Sequence, residues 1–286
     1  MQTNENVIID VKKIVEEKKE NLKYRVDKLK KIGIHPKLAV ILANDLDASK
    51  IYVRKKREMC SEIGVEEVEY ILDQNSTTDD VLRIIERLNN DDLVHGILVQ
   101  LPLFKNLDER KILESISPKK DVDGFHPLNL GRTLIGNGGI VPCTPKGIMS
   151  IIKSTGIDIK SKTAVVIGRS VIVGKPISAM LLNEDATVIT CHSKTKNLGK
   201  YTKMADILVV AAGVPHLITK DMVKKGALVV DVGINRLDGK VVGDVDTKNV
   251  CEIAKYVTPV PGGVGITTVI SLAQNLVEMA EKIENK

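Results

Sequence analysis

Apolar residues recur at helical spacing through the first segment of the chain. In "VIIDVKKIVEEKKENLKYRVDKLKKIGI" they stand at Val11, Ile14, Val15, Leu22, Val26 and Leu29, and charged residues fill most of the positions between. That pattern predicts an amphipathic helix with a solvated outer face. The period then changes. "KLAVILA" is a continuous apolar run bounded by Pro36 and "NDLD", as a buried strand would be. A helix carrying Tyr52 and Lys56 follows, then a strand "VEEVEYIL", a helix from Thr78 to Asn89 and a strand "VHGILVQLPL". Strands alternating with helices imply a parallel sheet covered on both faces.

A second set of strands, "TAVVI", "ATVIT", "DILVVAA" and "ALVVDVG", starts at residues 163, 186, 206 and 227. The spacing of about 20 residues suits βαβ units with short connections. Between the sets lies "FHPLNLGRTLIGNGGIVPCTPKG", rich in Gly and Pro, which reads as a domain junction. The last apolar-periodic stretch, Ile266 to Ile283, is helical and is placed to return to the first domain. The fold class is therefore α/β in two domains. The first spans residues 1–143 with the C-terminal helix 266–286, and the second spans 144–265.

Composition narrows the function. Of 286 residues, 28% are charged and 43% apolar, which suits about two ordinary cores. The net charge of +5 is spread along the chain, so no nucleic-acid footprint is expected. The 4 Cys lack metal or C-x-x-C spacing and read as reduced thiols of a cytoplasmic protein. The 5 His are scattered, so no metal site is expected. No apolar run approaches the ~20 residues of a membrane span.

Two stretches carry candidate chemistry. In "VVIGRSVIVGKP" a strand runs into Gly168, a loop and Gly174, with Pro176 at the first position of a helix. Such a turn lets backbone approach a phosphate at a helix N-terminus. The Gly-x5-Gly spacing is not the common G-x-G-x-x-G, and a plain βα turn would look the same; the four regular strands favour dinucleotide binding. A dinucleotide site selective for NAD places Asp or Glu at the end of the next strand. Here "TCHSKTK" has no acid, and Ser193, Lys194 and Arg169 offer donors and positive charge, which favours NADP. In "IYVRKKREMC", Tyr52 and Lys56 are four apart and share a helix face. That pair is either a cation–π contact on a solvated face or an aromatic wall beside a working amine.

Taken in order, "ASKIYVRKK", "GILVQLPL", "KDVDGFHPLN", "PCTPKGIM", "VVIGRSVIVGKP", "CHSKT", "GALVVDVGIN", "GDVD" and "TPVPGGVG" resemble the bifunctional methylenetetrahydrofolate dehydrogenase/methenyltetrahydrofolate cyclohydrolase family. The resemblance implies an N-terminal α/β catalytic domain, a Rossmann-like NADP-binding domain, a cleft between them, a folate substrate and a homodimer, with no nucleic-acid or membrane partner. It implies that Lys56 is the acid/base group of the cyclohydrolase step. Tyr52 would line the folate pocket, Gln100 would contact the lysine, and Asp123 would bind the pterin edge. Leu101, Pro102, Gly262, Gly263 and Val264 would complete the substrate site, and Gly168, Arg169, Ser170, Ser193 and Ile234 the cofactor site. The chain departs from the family at Asn44 and Asp47, where Gly and Pro are common. Phe104 replaces a Pro in "LPLF", and "GITT" with Ile266 and Thr267 replaces "GPMT". Two other functions remain open: a Rossmann dehydrogenase for a small acid, and a non-catalytic NADP-sensing module. Neither uses Tyr52, Lys56, Gln100 and Asp123 together.

Overall fold

The computed structural model describes residues 7–284. In chain order the elements are α1 (Val11–Lys31), β1 (Lys37–Leu42), α2 (Asp47–Glu62), β2 (Glu66–Ile71), α3 (Thr78–Asn89), β3 (Gly96–Gln100), α4 (Glu109–Ser115), α5 (Pro127–Ile135) and α6 (Cys143–Ser154). They continue with β4 (Thr163–Ile167), α7 (Gly174–Asn183), β5 (Thr187–Cys191), α8 (Leu198–Thr202), β6 (Ile207–Val210), β7 (Leu228–Asp231), β8 (Asn235–Leu237), β9 (Lys240–Val242), α9 (Thr247–Val250), β10 (Tyr256–Val257) and α10 (Val264–Glu284). The chain divides into two compact units, and the division falls within α1, α5 and α10.

One unit comprises residues 17–132, 138–143 and the chain from Val269. Its sheet is parallel, in the order β2-β1-β3. The central strand β1 is buried along its length after Lys37, which explains its unbroken apolar run. The edge strand β2 carries Glu66, Glu67 and Glu69, charges that discourage further strand pairing. Val81, Ile85 and Leu88 of α3 pack with Ala39 and Ile41 of β1. Thr77 and Asp80 close a capping box at the start of α3. On β3, Gly96 makes room for α10: a Cβ there would lie 2.6 Å from Leu276 Cδ1. Asn275, the residue before it, donates to the carbonyls of Val122 and Val141, both at 2.9 Å. The Arg25 guanidinium grips both carboxylate oxygens of Glu281, which ties α1 to α10.

The other unit comprises the chain up to Glu16, residues 133–137 and residues 144–268. Its five strands are parallel in the order β10-β7-β6-β4-β5. Alternate residues serve opposite faces. Ala164, Val166, Val209 and Val230 pack with Ile148, Ile152, Ile177 and Leu181. Val165, Ile167, Leu208, Val210 and Val229 pack with Val250 and Val257 on the other side. The strand order turns at β4, with β5 on one side and β6 on the other, so a ligand crevice is expected beyond the carboxyl end of β4.

The expected strands appear where the apolar runs placed them, and the fold is the two-domain α/β class. The Gly- and Pro-rich junction is more ordered than a loop, since it holds α5 and the start of α6. Its Pro127 opens α5 and Gly136, at φ +68°, closes it, so these residues punctuate helix ends. The β8–β9 hairpin was not anticipated; its strands have three residues each, too short for periodicity to show. Among the described residues no helix is long and apolar enough to cross a membrane.

Asn275→Ala would leave the Val122 and Val141 carbonyls short of a buried donor. A loss of about 2 kcal/mol is expected, seen as a fall of about 4–8 °C in thermal midpoint by calorimetry.

Candidate active site

The burial pattern of α2 separates its two adjacent lysines. Ser49, Val53, Lys56 and Cys60 form a buried stripe at three- and four-residue spacing, and Lys55 is exposed. Lys56 is only 6% exposed, far from the usual state of a lysine. Its Nζ donates to Gln100 Oε1 at 3.1 Å. Gln100 ends β3, and its Nε2 donates to the Leu101 carbonyl at 2.7 Å. That second bond fixes the amide orientation, so the oxygen faces the amine. Tyr52, one turn earlier, is half-buried, and burial holds its phenol above the ordinary tyrosine range. Among the described residues the cation–π contacts join Lys28 to Tyr24, Arg87 to Tyr70 and Lys255 to Tyr256. Tyr52 belongs to none of them, which removes the cation–π alternative for this pair.

Asp123 lies in the same unit, on the loop between α4 and α5. Burial pushes its carboxyl up, the nearby Lys56 charge pulls it down, and Asp121 pushes it up again. The loop is built on Asp121. One carboxylate oxygen accepts the N–H groups of Gly124 and Phe125, both at 3.1 Å. The other accepts His126 N–H and Asn129 Nδ2, both at 2.8 Å. Gly124 adopts φ +75°, and a Cβ there would lie 2.7 Å from Pro142 N, so no other residue fits the turn. Below Lys56, burial drives the Cys60 thiol to about 12, so it takes no part in nucleophilic chemistry.

The departures from the family pattern prove to be bonded. Asn44 is buried; its Nδ2 donates to the Pro102 carbonyl at 2.7 Å and its Oδ1 accepts Leu46 N–H at 3.0 Å. It braces the segment that follows Gln100. Phe104 and Ile266 use N–H groups that a proline would lack, bonding Ala43 and Gly263 carbonyls at 2.8 and 3.2 Å. Asp47 supplies an acid to the first turn of α2, a favourable place for negative charge. The sequence offered no signal for the Asn44 contact, because its partner lies 58 residues away.

In the other unit, the turn from β4 to α7 forms a close backbone cradle. Gly168 has φ +124°, and a Cβ on it would collide with the Ala211 carbonyl. A Cβ on Gly174 would collide with the Gly168 carbonyl, so the two glycines of the motif pack against each other. Ser170 Oγ accepts the N–H groups of Val173 and Gly174 at 3.2 and 3.3 Å. Beyond the strand ends opens a cavity of about 440 Å³ lined by Gly168, Arg169, His192, Ser193, Ala212 and Val214 among others. It brings together Gly168, Arg169 and Ser193. Ser170 and Ile234 do not line it: Ser170 serves the turn, and Ile234 is exposed just past β7. Gly262, Gly263 and Val264 open α10 in this unit, apart from Lys56, Gln100 and Asp123 in the chain's division. Among the described residues no group of three His, Cys, Asp or Glu side chains is placed to hold a metal.

Two family models match the chain. The catalytic domain of tetrahydrofolate dehydrogenase/cyclohydrolase matches residues 9–123, and its NAD(P)-binding domain matches residues 142–284. The chain belongs to this bifunctional family. The bifunctional protein FolD of Bacillus cytotoxicus is 52% identical over 277 residues, covering 96% of this chain and 97% of that protein. The crystal structure of the bifunctional FolD methylenetetrahydrofolate dehydrogenase/cyclohydrolase from Campylobacter jejuni superposes with TM-score 0.95 at 49% identity, covering 97% of this chain and 99% of that one. The Trypanosoma brucei methylenetetrahydrofolate dehydrogenase-cyclohydrolase, solved with NADP cofactor and an inhibitor, gives TM-score 0.93 at 35% identity, covering 98% of this chain and 99% of that one. Membership makes the five-stranded unit an NAD(P)-binding, Rossmann-like domain and the chain a dehydrogenase/cyclohydrolase of one-carbon folate metabolism.

Gly168→Ala would thrust a methyl at the Ala211 carbonyl and forbid the turn's backbone. Dinucleotide binding, followed by calorimetry, is expected to fall at least about tenfold, an energy loss of about 1.4 kcal/mol or more.

Proposed function

We propose that the chain oxidises 5,10-methylenetetrahydrofolate to 5,10-methenyltetrahydrofolate with NADP and hydrolyses the product to 10-formyltetrahydrofolate. The observation that carries the second activity is the buried Lys56 amine bonded to an amide whose orientation is fixed. A dehydrogenase alone has no use for it. We further assign the protein to the cytoplasm as a homodimer; the reduced, largely buried thiols agree with a reducing compartment.

The pterin ring presents an amino group and ring N–H groups. Asp123, near Lys56 and on a rigid turn, accepts them as a charge-assisted pair. Tyr52 provides a wall that stays neutral and protonated. With the substrate so held, hydride departure asks only for alignment. Gly168 gives the cofactor backbone close approach, and Arg169 and Ser193 offer charge and a donor to a 2′-phosphate. NADP bound in the cavity supplies the hydride acceptor.

Hydration asks more of the protein. Water adds to the cationic one-carbon bridge and loses a proton. The hydroxyl so formed then gives up its own proton to become the formyl oxygen as the bond to one bridging nitrogen breaks and that nitrogen gains a proton, so one proton is released overall. Lys56 is the group that takes and returns the proton. Gln100 steadies it through a neutral acceptor and adds no charge to the site.

Three variants and one control test the assignments. Lys56→Met should retain NADP reduction by methylenetetrahydrofolate yet accumulate the methenyl product, while Lys55→Met, on the exposed face, should leave both steps within about twofold. Cyclohydrolase activity persisting in Lys56→Met would refute the role. Arg169→Ala should weaken NADP at least about tenfold more than NAD, the worth of a charge-assisted contact; equal losses would count against the 2′-phosphate assignment. Asp123→Ala should depress both activities together, and unchanged folate binding by calorimetry would remove it from the pterin site.

A further inference from the structure

The loop after β6, which packs beside Gly168, forms one wall of the dinucleotide cavity, and that loop is organised from inside the protein. Three successive backbone N–H groups, of Ala212, Gly213 and Val214, converge on the carboxylate of Asp244 at 2.7, 2.9 and 2.9 Å. Converging N–H groups of this kind form a nest for an anion. Here the anion is the protein's own, and Asp244 is fully buried. Its Oδ1 also accepts Asn235 Nδ2 at 2.8 Å, so one carboxylate joins the loop after β6 to the start of β8. Asp231, at the end of β7, holds Asp244 in turn. Its carboxylate accepts the backbone N–H groups of Gly233, Asp244 and Val245 at 2.9, 3.0 and 2.9 Å. No side chain fits between these groups: a Cβ on Gly233 would collide with Asp244 Oδ1, and one on Gly243 with Asp231 Oδ2.

We propose that Asp244 is a positioning residue for dinucleotide binding, holding the Ala212–Val214 wall of the cavity in register with Gly168 and Arg169. The inference deepens the cofactor reading above and rests on it. Asp244 touches no cofactor itself. It acts through Ala212 and Val214, which line the cavity. This wall faces a part of the ligand common to NAD and NADP, since Arg169 and Ser193 carry the charge and donor suited to the 2′-phosphate. Asp244 therefore affects both cofactors alike, whereas Arg169 separates them.

The test compares wild type, Asp244→Asn and Asn235→Ala for three quantities: Kd of NADP and NAD by calorimetry, the KM and kcat of the dehydrogenase, and the cyclohydrolase rate on methenyltetrahydrofolate without dinucleotide. Asp244→Asn presents an amide N–H₂ to donors that need an acceptor. It is expected to raise KM and Kd at least tenfold for both cofactors, with kcat at saturation and the cyclohydrolase rate within twofold of wild type. Asn235→Ala removes one of the four donors and should raise KM about threefold in the same pattern, which keeps the test decisive if Asp244→Asn does not fold. Unchanged Kd in both variants overturns the proposal, as does a parallel loss of both activities with kcat falling and KM unmoved. If wild type itself binds neither NADP nor NAD, the cofactor reading fails first, and the calorimetry of wild type alone shows it.

Discussion

Three buried aspartate carboxylates have their charge met by backbone N–H groups, and the loops that carry the chemistry take their shape from them. Asp121 gathers Gly124, Phe125 and His126. Asp231 gathers Gly233, Asp244 and Val245. Asp244 gathers Ala212, Gly213 and Val214. Both sides of each contact need the other. A buried carboxylate is costly without donors, and a loop leaving a buried strand carries N–H groups with no ladder partner. The balance is close. Burial still pushes the Asp231 carboxyl up to about 6 despite its three N–H donors, with the Asp244 charge adding to the rise. A second charge so near is tolerable only because each carboxylate keeps its own set of donors.

This arrangement explains why a loop can be both irregular and rigid. Asp123 is left to burial and the Lys56 charge, and no backbone N–H group among the described residues is drawn to its oxygens. Asp121, two residues earlier, does that work, and Asn275 pins the intervening Val122 carbonyl from α10. The division of labour between two acids two positions apart is visible in their surroundings. Asp121 is 3% exposed and saturated with donors, and Asp123 is held up by burial with Lys56 as its counter-charge.

Much of this was legible in the sequence. Parallel strands, their starts and the α/β class follow from short apolar runs alternating with amphipathic stretches. The pairing of Tyr52 with Lys56 follows from helix geometry, and the structure places Lys56 on the buried face and Lys55 on the exposed one. The roles of Asp121, Asp231 and Asp244 were not legible. An aspartate at a strand end or in a loop reads first as a turn former, and nothing local distinguishes one that serves its own turn from one, such as Asp244, that gathers the Val214 N–H 30 residues away. Ser170 shows the same limit. Its place in the glycine loop suggests a ligand contact, and nothing local shows that its oxygen also accepts two N–H groups of its own turn.

The departures at Asn44, Phe104 and Ile266 follow one physical rule. Proline at 104 or 266 would set the backbone by its ring and forgo a hydrogen bond. The residues present set it by making that bond, to Ala43 and Gly263. Asn44 goes further, because a glycine has no side chain with which to reach the Pro102 carbonyl. The bond runs from the end of β1 to the segment just after Gln100, two neighbouring strand ends of one sheet. Proline would restrict the freedom of the segment through its ring, whereas this chain satisfies its polar groups directly. In this chain the Asn44 bond braces the segment beside Gln100, whose oxygen meets the Lys56 amine across 44 residues of sequence.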